Sequence, residues 1–126
     1  MKRSAFFFAT LALMTTTVWS QDKCPAQFAQ DGEEWCDARK AEYELKQVDA
    51  ELNGAYQKML KGVNSDQRKR IVGAQKKWLD WSKADCSAYV TVAAPAANSV
   101  LHTAHVSCLT AKTRARTKDF EIFLKK

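Results

Sequence analysis

Four cysteines, two histidines and a set of polar residues at helical spacing are the side chains of this 126-residue chain that could do chemistry. Cys24, Cys36, Cys86 and Cys108 make an even set in a short chain, which reads as two disulfides if the chain is exported. No C-x2-C pair supplies the chelate spacing of a tetra-cysteine zinc site. Three pairings are possible. Cys24 with Cys36 and Cys86 with Cys108 are favoured, because each pair brackets a loop beside an expected helix end. His102 and His105 share a helix face with Cys108, but an oxidised Cys108 and the lack of a nearby carboxylate leave no ligand set. Catalysis has no foothold either: there is no G-x-S-x-G elbow, no H-E-x-x-H and no phosphate-cradling glycine loop. Asp80 and Asp85 point to different faces of one helix and form no carboxylate pair. The expectation is a protein without metal, cofactor or enzymatic activity.

The remaining polar candidates come in three helical motifs: Asp49-x-x-Leu52-Asn53-x-x-Tyr56, Ala74-Gln75-x-x-Trp78, and Cys108-x4-Thr113-x-x-Arg116. Asp49, Asn53 and Tyr56 lie at i, i+4 and i+7 on one edge of an apolar stripe. Gln75 pairs with Trp78 on a second helix, and Thr113 with Arg116 on a third. A buried polar group without a partner costs roughly 1–3 kcal/mol. These side chains therefore predict hydrogen bonds between helices that fix their register, with direct ligand binding as the second reading.

Three helices must position them. Leu45, Val48, Leu52, Ala55/Tyr56 and Met59 step by three or four and predict a helix from about 33 to 61. Gly62 and Asn64 end it, and Ser65 or Asp66 is the expected cap of the next. The second helix, about 66 to 90, would bury Ile71, Ala74, Trp78 and Trp81, and the short connection makes the pair an antiparallel hairpin. After the irregular Ala93–Asn98 stretch, a third helix from about 99 to 124 would bury Leu101, Ala104, Cys108, Ala111, Ala115 and Ile122. No run combines β-branched alternation with hairpin turn signals. The predicted fold is all-α: an antiparallel helical hairpin plus a third helix, a disulfide-stapled three-helix domain with a short helical turn between Cys24 and Cys36.

Before this domain lies a leader. Lys2 and Arg3 precede an apolar run from Ala5 to Met14, too short to span a bilayer, and Val18 and Ser20 suit cleavage before Gln21. Residues 1–20 are expected to be removed and residues 21–126 to form one helical domain, periplasmic or secreted, without a stable membrane anchor. That compartment excludes nucleic acid as a partner. Charge is uneven: residues 22–51 carry nine acids against four bases, and residues 52–126 five against fourteen. Asp31, Glu33, Glu34 and Asp37 crowd the start of the first helix, where they complement the positive end of its dipole. The basic clusters Arg68-Lys69-Arg70, Lys76-Lys77 and 112–126 read as solvated helix faces, with contact to anionic envelope polymers as the alternative.

Taken in order, the four cysteines and the three motifs resemble the LprI-like lysozyme-inhibitor domain family over nearly the whole mature chain. The resemblance implies a small helical bacterial envelope protein whose partner is a lysozyme-like or other peptidoglycan hydrolase. On that reading Asp31, Glu33, Glu34 and Asp37, beside the Cys24–Cys36 staple, are the candidate partner-binding residues, acting by occlusion of the enzyme's cleft. Alternatives are an immunity protein against a periplasm-delivered toxin and a non-enzymatic envelope- or polymer-binding module. Two departures stand out. The family's name-giving member is a lipoprotein, whereas here Gln21-Asp22-Lys23 precede Cys24 in place of a lipidation box. Members often carry an arginine between the tryptophan and the third cysteine; this chain has Trp81-Ser82-Lys83, so Lys83 replaces that arm or the arm is missing.

Overall fold

Acidic residues at one end and lysines at the other mark the first helix. In the computed structural model, α1 spans Cys36–Lys61, with Asp37 in its first turn and Lys58 and Lys61 in its last, each complementing the helix dipole. The structure describes residues 23–92 and 96–125. The expected leader, its cleavage position, and Ala93-Ala94-Pro95 of the third connection lie outside the described residues. Residues 33–35, predicted as the start of α1, form a separate 3₁₀ turn, and a second such turn spans Ala26–Phe28. Among the described residues there are no strands.

The connection between the first two helices is three residues, 62–64. Asn64 is the cap of α2 (Ser65–Val92), one or two positions before the expected Ser65 or Asp66. Its Oδ1 accepts from the backbone N–H groups of Asp66 and Gln67, at 3.1 and 2.9 Å, and Gln67 Oε1 accepts from the Asn64 N–H at 3.1 Å. This reciprocal box satisfies donors that a helix start leaves open. Arg68 donates to the Leu60 carbonyl at 2.9 Å, so the same corner also satisfies an acceptor at the end of α1.

The third helix, α3, spans Asn98–Leu124. Glu42 meets His102, Asp49 meets Thr113, and Tyr56 meets Phe120, so α1 and α3 run parallel. Gln75 meets Arg116, and Cys86 is bonded to Cys108, so α2 runs antiparallel to both. The predicted all-α fold is thus an up-down-up three-helix arrangement, with the hairpin of α1 and α2 completed by α3. The closest backbone approach is between α1 and α3.

Small side chains permit that approach. On α1, Val48, Leu52 and Ala55 are buried, as the periodicity predicts, and Ala38 is buried with them. On α3, Val106, Thr110, Thr113, Thr117 and Phe120 form the buried stripe. This corrects the predicted face of α3: Ala104, Ala111 and Ala115 are exposed, and Ile122 is 60% exposed. The threonines enter the core because their hydroxyls need no distant partner. Thr110 donates to the Val106 carbonyl and Thr117 to the Thr113 carbonyl, both at 3.0 Å, which leaves the methyl groups for packing.

Leu52, Ala55 and Phe120 form the central cluster, with Tyr56, Met59 and Trp78 packed against it. Burying a side chain the size of Leu52 or Phe120 contributes about 1.5–3 kcal/mol. The predicted stripe of α2 is also corrected. Gln75, Ser82 and Cys86 face inward, whereas Ala74 is exposed and Trp81 is 54% exposed. Trp81 instead lies on the outer surface under Lys112, whose Nζ is 4.1 Å from the ring centroid and 2.6 Å from Asp85.

Candidate functional site

Gln75 is the polar residue that the second helix buries most tellingly: it is 7% exposed, in a position that packing would give to leucine. Arg116 Nε donates to its Oε1 at 3.1 Å. The guanidinium is itself held 4.6 Å from the Phe120 ring and 5.9 Å from Trp78, and Nη1 lies 3.6 Å from Asp119. On the outer side of Gln75, α1 and α2 leave a groove of ≈ 290 Å³. Asp49, Leu52, Asn53 and Tyr56 line one wall, and Val72, Gln75, Lys76 and Leu79 the other.

The structure therefore gathers Asp49, Asn53, Tyr56 and Gln75 at one groove, with Thr113 and Arg116 behind them on α3 and Trp78 on the core side. Thr113 Oγ1 reaches Asp49 Oδ1 at 3.4 Å, a long contact for an O–H donor. Asn53 is exposed, and its side chain has no hydrogen-bond partner among the described residues.

Two disulfides lie toward the end of the bundle where α1 begins. Cys24 is bonded to Cys36 and Cys86 to Cys108, and no cysteine is free. The first holds the 24–36 segment against the start of α1, and with it the four acidic residues. Two of those acids are engaged. Asp31 accepts from Arg39 Nε at 2.7 Å and also pairs with its Nη2, and Asp37 lies 3.8 Å from Lys40. Glu33 and Glu34 are exposed, without an ion pair among the described residues. Gly32, just before them, has φ 103°, and a Cβ there would fall 2.6 Å from Glu34 Oε2.

The family described as "Lysozyme inhibitor LprI" matches residues 24–120. The chain belongs to the LprI family. No curated protein and no solved structure matches it.

In this LprI chain the motif residues fall into two groups. Gln75, Trp78, Thr113 and Arg116 are drawn toward the interior, while Asp49 and Asn53 open onto the groove. Lys83, the alternative to the arginine arm, is exposed and has no partner among the described residues. Lys112 supplies a cation between α2 and α3, at Asp85 and Trp81.

A further polar cluster carried no expectation. Arg39 Nη1 donates to Glu42 Oε2 at 2.7 Å, and Glu42 Oε1 lies 2.7 Å from His102 Nε2. The hydrogen bond from Arg39, and then that from His102, hold the Glu42 carboxyl below its ordinary range. Glu42, followed by Asp31, pushes the Arg39 guanidinium above its ordinary value. The chain Asp31–Arg39–Glu42–His102 thus ties the stapled segment to α1 and α3. The i,i+3 spacing of Arg39 and Glu42 was a usable local signal. His102, sixty residues away, carried none.

Beside this cluster the Trp35 and His102 rings lie 6.0 Å apart, and Phe28 packs edge-on to Tyr43 at 5.9 Å. Among the described residues no group of three or more metal-ligating side chains is placed to hold an ion, and no helix is long and apolar enough to cross a membrane.

Proposed function

We propose that this chain is an exported inhibitor of a peptidoglycan-cleaving hydrolase, most simply a lysozyme, and that it acts by occluding the substrate cleft. Membership of the LprI family over residues 24–120 carries the reading. The two disulfides support a site of action in an oxidising compartment, the periplasm or the exterior. The reading includes a leader, residues 1–20, removed on export, and one domain from residue 21 to the C-terminus.

The stapled 24–36 segment is the proposed contact surface. Glu33 and Glu34 are its uncommitted carboxylates and meet cationic groups at the rim of the cleft. Asp31 and Asp37 add to the local field while remaining tied to Arg39 and Lys40. Tyr43, 56% exposed and packed on Phe28, supplies an aromatic anchor of the kind that dominates interface energetics. The Cys24–Cys36 bond and the Asp31–Arg39 contact order the segment before binding, which lowers the entropy lost in the complex. The chain's net positive charge opposes long-range steering toward a cationic enzyme, so affinity rests on short-range contacts.

The test is a cell-wall turbidity assay in which the oxidised protein is titrated against a c-type lysozyme at low and physiological salt. Stoichiometric protection, reduced in the Glu33→Gln/Glu34→Gln double variant, is the expected result. Absence of protection at excess protein overturns the reading.

A further inference from the structure

We propose that the groove between α1 and α2 binds a neutral saccharide ring. The inference stands apart from the inhibitor reading, because the groove lies mid-way along α1 and α2 and not on the stapled segment.

Gln75 is the central observation. Arginine can only donate hydrogen bonds, so the amide oxygen of Gln75 must face Arg116. That leaves Nε2, with two donors and no partner among the described residues, on a side chain that is both largely buried and part of the groove wall. An amide held in this way is a fixed donor facing a concave surface.

Around it stand an acceptor, Asp49, the two-way amide of Asn53, the hydroxyl of Tyr56 and the ammonium of Lys76. Neighbouring hydroxyls on a sugar ring each donate and accept, and planar carboxylate and amide groups answer both needs at once. The Tyr56 ring, braced by Phe120 at 5.8 Å, and Leu79 supply the apolar wall that the C–H face of a pyranose requires.

Charge selects for neutrality. Asp49 and Lys76 offset each other, so neither an anion nor a cation is favoured. A metal is excluded as the occupant because Asp49 is the one carboxylate in the wall. At ≈ 290 Å³, the groove falls just below the usual range for drug-sized ligands, which suits one or two sugar rings.

The test is a titration of the oxidised, 15N-labelled protein with N,N′-diacetylchitobiose, cellobiose and maltose, followed by amide chemical shifts. Concentrations run to about 10 mM, tenfold above a millimolar Kd. Saturable shifts clustered at Asp49, Asn53, Tyr56, Gln75 and Lys76 are expected with at least one of the three. Asn53→Ala, whose side chain has no partner among the described residues, should keep its Tm and weaken that binding by about tenfold, equivalent to 1.4 kcal/mol. Lys118→Ala, at an exposed position on α3 that does not line the groove, should leave binding unchanged.

No saturable shift with any of the three sugars overturns the proposal. So do shifts that cluster elsewhere, or Asn53→Ala and Lys76→Ala variants that bind as the parent does. Inhibition of lysozyme without sugar binding removes this proposal alone. Sugar binding without inhibition removes only the inhibitor reading.

Discussion

Arg116 on α3 donates to Gln75 on α2 at 3.1 Å, and the two side chains lock helices that also meet through the Lys112–Asp85 ion pair and the Cys86–Cys108 disulfide. The pair is withdrawn from water, with 20% of the Arg116 side chain exposed. Removing either partner strands the other. Gln75→Ala and Arg116→Lys should each cost about 1–3 kcal/mol in urea unfolding, the second because an ammonium cannot reproduce the planar donor geometry. A double-mutant cycle should return a coupling of about 1 kcal/mol. Strict additivity would show that the contact holds nothing.

Asn53 should behave differently from Gln75 despite sharing its side-chain chemistry. It is exposed and unpartnered among the described residues, so Asn53→Ala should change stability by less than about 0.5 kcal/mol. A larger loss in thermal melts would mean that Asn53 takes part in the packing between helices.

The turn between α1 and α2 rests on Asn64. Its side chain accepts two backbone N–H bonds, so Asn64→Ala should cost about 1 kcal/mol. Asn64→Asp, which keeps the acceptor, should recover most of it. Equal losses in the two variants would count against the cap.

Gly32 should resist substitution. Its φ of 103° is a backbone state that L side chains rarely adopt, and a Cβ would collide with Glu34. Gly32→Ala should destabilise by about 1–3 kcal/mol. Under the proposed function it should also weaken lysozyme protection by displacing Glu34. An unchanged denaturation midpoint would show that the segment relaxes without cost.

Glu42 predicts a pH dependence. Its folded-state pKa lies below the ordinary 4.5, chiefly through Arg39. The stabilisation is therefore fully present above about pH 4.5 and is lost as pH falls through the lower folded-state value. The side chain is 37% exposed, so solvent screening keeps the effect modest. Glu42→Gln should flatten stability against pH below about 4.5 in urea titrations. An unaltered slope would assign the acid sensitivity to other carboxylates.

How much was legible in the chain varied by element. The buried stripe of α1 could be read directly, because Val48, Leu52 and Ala55 recur at steps of four and three. The faces of α2 and α3 could not. Alanines and other apolar residues surround α3 on all sides, so hydrophobicity alone did not distinguish the inner face, and threonine looked polar. The site was legible in part. The motif residues were singled out by type and spacing, but nothing local revealed that Asp49 and Asn53 open to a groove while Gln75 turns inward, or that His102 meets Glu42.

Helix number, approximate ends, the presence of four pairable cysteines and the family resemblance were all written in local spacing, since each depends on residues a few positions apart or on their order. Which face of each helix is buried, which acids remain free and which amide is held facing a groove were set by helix against helix. Those outcomes follow from the close parallel approach of α1 and α3, with α2 antiparallel beside them. That approach requires small side chains and internally satisfied hydroxyls at the contact, and it turns alanines outward and threonines in.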